Sequence, residues 1–347
     1  MLADTVDVVI GVDTHRDRHR LALVAAASGA LLAERELSAD RRGYRAALRL
    51  ARARSGRRLW ALEGSGCYGA GLARFLAARG ECVVEVERPP RRQRTGRLKT
   101  DALDALRAAR AVLAGEAQAT PRAAGSREAL RVLLATREAA VAVRRAGLCQ
   151  LRALVVTAPE PLRERLRPLG KCALVGACLR LRVDGRQSSE RAATALALRA
   201  SARRVRAASR EAEELERELA RLVAALAPWL TELPGVGAIS AAQLLVAWSH
   251  RGRLHSEAAF ARLAGVAPIP ASSGQTVRQR LDRGGDRRLN RTLHTIVLAR
   301  CKRHRPTIAY VERRRREGKS LRETIRCLKR YLARSLFRQL EEMALGT

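Results

Sequence analysis

The chain has 347 residues, 68 Lys and Arg against 34 Asp and Glu, and a formal net charge of +34. It is 47% hydrophobic, enough for a buried core and for two or three domains. Charge of this size and sign points to a polyanionic partner, nucleic acid first, and is an odd setting for a dinucleotide-dependent enzyme of small metabolites.

In chain order, residues 6–12 (VDVVIGV) predict a buried strand. Residues 20–25 and 30–37 predict two more, joined through Ser28-Gly29, a pair suited to a hairpin. A helix is expected over 43–54, a fourth strand over 58–62, a Gly-rich turn opening a helix over 71–79, and a fifth strand over 82–87. A helix over 101–114 completes the region. Three meandering strands followed by alternating helix and strand predict an α/β domain, a mixed sheet flanked by helices, in the order of a ribonuclease H-like core. This domain is assigned to residues 1–118.

Residues 119–230 read as helical. Leu134, Val141, Leu148 and Val155 recur every seven residues, and Val205, Ala208, Ala212, Leu215, Leu219, Leu222 and Leu226 alternate in steps of three and four. This is a heptad seam, and a coiled-coil arm that self-associates is the expectation. Residues 231–347 form a third, basic, helical region with a Gly/Ser-rich loop at 270–276.

The seven scattered cysteines form no C-x-x-C pair, which predicts reduced thiols and no structural zinc. The N-terminus lacks the basic-then-apolar pattern of a secretory signal, and the apolar run from Leu21 to Ala33 is too short to span a bilayer. A cytoplasmic protein is expected. Aromatic residues make up 3% of the chain, so contacts should go mainly to phosphates and helical shape.

Four carboxylates carry the chemistry. Asp13 closes the first strand, Glu63 closes the fourth, and Asp101 and Asp104 share one helix face. The first and fourth strands can be neighbours in a mixed sheet, so the four could converge. Clustered carboxylates repel one another; magnesium, which takes oxygen ligands, relieves that repulsion, and two such ions support phosphoryl transfer. The stretch Gly64-Ser65-Gly66-Cys67-Tyr68-Gly69, with Glu85 or Glu87 downstream, also fits a dinucleotide-binding pattern, but it follows the fourth strand rather than the first. A tight turn is the plainer reading.

Basic segments frame these acids. Arg88, Arg91, Arg92, Arg94, Arg97 and Lys99 crowd the segment before Asp101 and suit a phosphate-gripping loop. Leu233-Pro234-Gly235-Val236-Gly237 looks like a helix-hairpin-helix, in which Gly235 and Gly237 let the backbone approach a DNA phosphate. Ser272-Ser273-Gly274 is followed by Arg278, Arg280, Arg283, Arg287, Arg288 and Arg291, cations able to stabilise charge at a phosphorus centre.

Together these residues resemble the DEDD transposases of bacterial insertion sequences, the IS110 family that includes the Piv-type invertases. The resemblance rests on GVDTH, LEGSG followed by YGAGLARFLAARG, and KTDALDA in the N-terminal half. It continues in LPGVG, FARLAGVAP and SSG followed by RLDRGGDRRLNRTLH. It implies a RuvC-like domain holding two magnesium ions on Asp13, Glu63, Asp101 and Asp104. It further implies that Ser273, or its neighbour Ser272, forms a covalent phosphoserine link to DNA. A structured bridge RNA would pair with donor and target DNA. Dimers would pair into tetramers, the serine of one subunit completing the carboxylate site of another, in the bacterial cytoplasm at the nucleoid.

The sequence departs from the family pattern in two places. Gln275-Thr276 follows Ser273-Gly274 where a lysine is usual, and Leu281-Asp282-Arg283-Gly284-Gly285 replaces the usual Ile-Ser-Lys-Arg-Gly. The alternative to a transposase is a hydrolytic, structure-specific endonuclease of the Holliday-junction resolvase type, which would use the same carboxylates with water as nucleophile.

Overall fold

The computed structural model describes residues 5–86, 101–115, 118–122, 124–182, 188–271, 279–282 and 284–344, and their side chains except at 101–103, 118 and 119. The chain divides into two compact units: residues 1–124 with 248–256 and 340–347, and residues 125–247 with 257–339.

The first unit is mixed α/β. Strands β1 (Val8–Thr14), β2 (Arg18–Ala25) and β3 (Leu31–Ser38) form the expected meander, followed by α1 (Arg41–Arg52), β4 (Arg58–Glu63), α2 (Ala70–Ala77), β5 (Cys82–Val86), α3 (Asp101–Leu113) and the two-residue β6 (Gln118–Ala119). The sheet order is β3-β2-β1-β4-β5-β6. β1 pairs antiparallel with β2 and parallel with β4, placing Gly11 between Ala22 and Ala61 and Val12 beside Leu62. β4 continues parallel to β5. This mixed order is compatible with the RuvC-like core expected from the sequence. β6, which the sequence reading did not foresee, adds antiparallel to β5 through two residue pairs; two residues carry too little pattern to be seen.

β1 is buried along all seven residues because both faces of the sheet are covered. On one face Ile10, Val12, Leu21, Leu23, Trp60 and Leu62 pack against Leu48 of α1 and Leu72 and Leu76 of α2. On the other, Val9, Val24, Leu59 and Ala61 pack against Ala109 and Val112 of α3. Alternate residues of each strand serve opposite layers, as the pleat requires. Gly11 faces α3. A Cβ there would lie 2.0 Å from the Ala105 carbonyl oxygen and 2.7 Å from the Ala109 nitrogen, so only glycine lets this helix lie so close to the strand.

The second unit is helical. It contains α4 (Ser126–Val156), α5 (Glu160–Leu166), α6 (Lys171–Leu179), α7 (Ser189–Leu226), α8 (Trp229–Glu232), most of α9 (Ala238–Trp248), α10 (Glu257–Leu263), the hairpin strands β7 (Ile269–Pro270) and β8 (Gln279–Arg280), α11 (Arg287–Arg303), α12 (Arg305–Arg316) and most of α13 (Leu321–Met343).

The seam expected to drive self-association is packed inside one chain. α4 and α7 run antiparallel: the Ser201 hydroxyl donates to the Gly147 carbonyl (3.3 Å), and Arg137 pairs with Glu216 at 2.6 Å. On α7 the seam follows the predicted line through Val205, Ala208, Ala212 and Leu219. On α4 the predicted Val155 is buried, but in the middle of the helix the buried positions are Ala140 and Gly147 rather than Val141 and Leu148, which are half-buried. Small residues let the helices approach closely, and the larger neighbours drew the heptad register away from them. Residues 158–190, which carry no clear period, supply α5 and α6. Leu162, Leu166, Leu174 and Cys178 from these helices join Leu151 and Leu198 in one core. Among the described residues no helix is long and apolar enough to cross a membrane.

Candidate active site and nucleic-acid interface

Parallel pairing of β1 with β4 brings the C-terminal ends of both strands side by side, and with them Asp13 and Glu63. Both are almost fully buried, at 3% and 4% exposure. The Thr14 hydroxyl donates to the Glu63 backbone carbonyl at 2.7 Å and ties the two strand ends together. The close passage of α3 over Gly11 brings up the third acid, Asp104, one turn into the helix. Asp101 opens the same helix one turn earlier, and its side chain lies outside the described residues. The expectation that the carboxylates converge can therefore be followed for three of the four.

These acids feel one another. Burial pushes the Asp13 carboxyl above the ordinary aspartate range; the neighbouring His15 opposes the shift, while the Glu63 and Asp104 charges add to it. His15 Nε2 lies 3.0 Å from Asp13 Oδ2. The Arg107 guanidinium donates to Glu63 Oε2 at 3.0 Å and stands 3.8 Å from Asp104 Oδ1. His15 and Arg107 were not singled out in the sequence. Their signal was spacing: Arg107 lies one helical turn after Asp104, and His15 two residues after Asp13. With Arg107 set between Glu63 and Asp104, no group of three metal-ligating side chains among the described residues is gathered closely enough to hold an ion as it stands.

The Gly-rich stretch after Glu63 is a tight turn into α2. Gly64 has φ +75°, and a Cβ on Gly69 would come within 3.0 Å of the Thr14 methyl. These glycines hold the ends of β1 and β4 together beside the acids.

The predicted nucleic-acid contacts fall into two groups. Arg91, Arg92, Arg94, Arg97, Lys99, Ser272, Ser273 and Arg278 lie outside the described residues. Gly235, Gly237, Arg280 and Arg287 lie within them. Gly235 has φ +78°, and a Cβ there would meet the Ile296 carbonyl oxygen at 3.0 Å. The Arg300 Nε donates to the Pro234 carbonyl at 2.7 Å. The Leu-Pro-Gly turn thus packs on α11, whereas Gly237, just before α9, opens onto free space. Arg287 is exposed at the start of α11, whose first turn is capped by Asp286 Oδ1 accepting from the Arg288 and Leu289 amides at 2.7 and 3.1 Å. Arg288 and Arg291 of the same basic run pair with Glu138 of α4 at 2.7 and 2.8 Å.

Gly285 and Gly265 explain another stretch of the sequence. Both have positive φ, and a Cβ on Gly285 would lie 2.5 Å from the Leu263 carbonyl oxygen. The Asp286 amide donates to the same oxygen at 2.6 Å. The Leu-Ala-Gly block and the Gly-Gly-Asp block are two halves of one backbone crossing.

A mixed sheet presenting paired acids at adjacent strand ends, with an acid-bearing helix laid across it, is compatible with a RuvC-like DEDD domain, and comparison with known proteins agrees. Residues 10–158 match the family model of the DEDD transposase domain of IS110 elements, described as a transposase. Residues 227–312 match the model described as "Transposase IS116/IS110/IS902 family". Two regions of the chain are therefore similar to transposase domains of the IS110 family. It is also similar to the "Insertion element IS110 uncharacterized 43.6 kDa protein" of Streptomyces coelicolor, at 33% identity over 131 residues. That stretch covers 37% of this chain and 32% of the relative, about a third of its length.

Proposed function

We propose that this protein is the transposase of an insertion sequence, cutting and rejoining DNA by metal-assisted transesterification. The observation that carries the reading is the convergence of Asp13, Glu63 and Asp104 at the ends of β1, β4 and the start of α3, within a chain whose two matched regions are both transposase domains. The donor set is all carboxylate oxygen, which suits magnesium. Two of the acids are buried, Arg107 pairs with Glu63, and a divalent cation would offset the repulsion that raises Asp13. Asp13, Glu63 and Asp104, joined by Asp101, are the residues that would hold two such ions. Magnesium bound there supplies Lewis acidity to the scissile phosphate.

The chain's own groups do the rest. Asp13 is oriented by His15, and Arg107 holds Glu63 and Asp104 in place. On release of those carboxylates, Arg107 faces a phosphate oxygen. Ser273 is the nucleophile, with adjacent Ser272 as the other candidate. Its Oγ bonds to phosphorus while the P–O bond to the departing deoxyribose oxygen breaks and that oxygen takes up the proton. The phosphoserine ester keeps the bond energy, so rejoining needs no nucleotide. Residues 1–118 serve as the catalytic domain, 119–230 as the helical arm and 231–347 as the serine-bearing domain. A bridge RNA selects donor and target DNA, and subunits associate so that the serine of one meets the acids of another.

The test is to purify the protein from cells carrying its flanking DNA, sequence any RNA that co-purifies, and incubate with Mg²⁺ and matching DNA. A discrete RNA and a covalent protein–DNA adduct lost in Ser273→Ala support the reading; loss only in Ser272→Ala moves the nucleophile by one residue. Cut ends without adduct, indifferent to both serines, would overturn it in favour of a hydrolytic nuclease.

A further inference from the structure

A basic cavity lies within the helical unit. The β7–β8 hairpin, the turn at 265–268, α12 and α13 enclose a cavity of about 650 Å³. Six cations line it: Arg280, Arg314, Lys319, Arg326, Lys329 and Arg330. Its two acids, Asp282 and Glu323, are already engaged. Asp282 accepts from the Gly284 amide at 2.8 Å, and Glu323 accepts from the Ser320 amide and hydroxyl at 2.9 and 2.7 Å, closing the first turn of α13.

The cations are short of anions. Arg314 pairs with Glu317, and Arg330 reaches Glu257 only at 3.5 Å. The Ser320 bonds, and then the charges of Lys319 and Arg326, hold the Glu323 carboxyl below the ordinary glutamate range, but neither these two cations nor Arg280 forms a close ion pair among the described residues. Lys329 is 9% exposed, and its ammonium has a neutral acceptor, Asn290 Oδ1, at 3.0 Å. Burial, and then the charge of Arg326, holds Lys329 below the ordinary lysine range. A buried ammonium without a carboxylate is costly unless an anion arrives.

One wall is aromatic. Tyr331 is 54% exposed and stands edge-on to Tyr310, their ring centroids 6.0 Å apart. In a chain with four tyrosines in all, a half-bare ring beside a cluster of cations is a notable placement. Single-stranded nucleic acids are held by this pairing of a cationic groove for the backbone with an aromatic face for a base. A cavity of this size falls in the range of small-ligand sites and admits one nucleotide.

We propose that this cavity binds an unpaired nucleotide of a nucleic-acid strand, its phosphate among Lys329, Arg326 and Arg280 and its base against Tyr331. This deepens the nucleic-acid reading and rests on it, but it does not depend on strand cleavage. The test is fluorescence anisotropy of the full chain, with EDTA present, against a labelled oligothymidylate, an oligouridylate of equal length and a blunt DNA duplex. Tyr331→Ala and Arg326→Gln change exposed side chains, and circular dichroism melts check that both variants fold. Each should weaken single-strand binding about tenfold and leave duplex binding nearly unchanged, and Tyr331→Phe should restore it. Preference for one oligonucleotide identifies the strand as RNA or DNA, and either supports the proposal. It is overturned if the wild-type chain binds neither oligonucleotide, if the folded variants bind them unchanged, or if single-strand and duplex affinity fall together. Because no metal is present, failure of strand cleavage leaves this result untouched.

Discussion

At the scale of single residues, the acids at the strand ends are a source of instability as well as of chemistry. Asp13 is buried, and the charges of Glu63 and Asp104 add to the cost of ionising it. Asp13→Asn removes one buried charge from that cluster. It should abolish DNA cleavage, by about a thousandfold or more, while raising the melting temperature measured in EDTA. A variant that loses both activity and stability would mean that Asp13 serves the fold instead. Glu81 behaves in the opposite sense. Burial pushes its carboxyl up, but hydrogen bonds from the Trp60 indole (3.0 Å), Arg58 and Arg52 outweigh this and leave it below the ordinary glutamate range. A depressed carboxyl contributes stability above its unfolded pKa and loses it as pH falls through the folded one. Glu81→Gln should therefore cost on the order of 2 kcal/mol at neutral pH and progressively less toward acid, as read by urea denaturation across pH. Asp13 and Glu63 were legible in the sequence because strand ends are marked by pattern. His15 and Arg107 were not, because what distinguishes them is a contact made only when β1, β4 and α3 meet.

At the scale of elements, two glycines carry the packing. Gly11 lets α3 lie against β1. Gly11→Ala should cost roughly 1–3 kcal/mol through overpacking, and by lifting Asp104 away it should lower cleavage more than stability alone explains. Gly147 does the same for the long helices: a Cβ there would lie 2.6 Å from Val205 Cγ2. Gly147→Ala should lower the melting temperature, and Val205→Ala in the same chain should recover part of the loss. Additive losses in that double-mutant cycle would contradict the close approach described. The elements themselves were largely readable. The meander, the alternating helices and the α7 seam follow from periods of two and of three to four. The α4 seam reaches Val155 as its spacing predicts, but its middle is hard to read because Ala140 and Gly147, which line it, look like nothing in a search for large apolar side chains. The tight turn after Glu63 is legible as a turn because it follows β4, and its glycines relieve crowding against Thr14.

At the scale of the whole molecule, the charge of +34 predicts binding dominated by phosphates. The affinity for non-specific duplex DNA should fall with salt at a log–log slope steeper than about −5, as for several phosphate contacts; a shallow slope would mean that the cations are engaged internally, as Arg288 and Arg291 are by Glu138. The proposed chemistry requires that the ends of β1 and β4 and the start of α3 form one divalent-cation site. Calorimetric titration of Mn²⁺ or Mg²⁺ into the full chain, beside Asp13→Asn and Glu63→Gln, tests it most directly. Saturable binding of about two ions is expected in the wild-type chain, and its loss in both variants. Equal binding in all three proteins would contradict it.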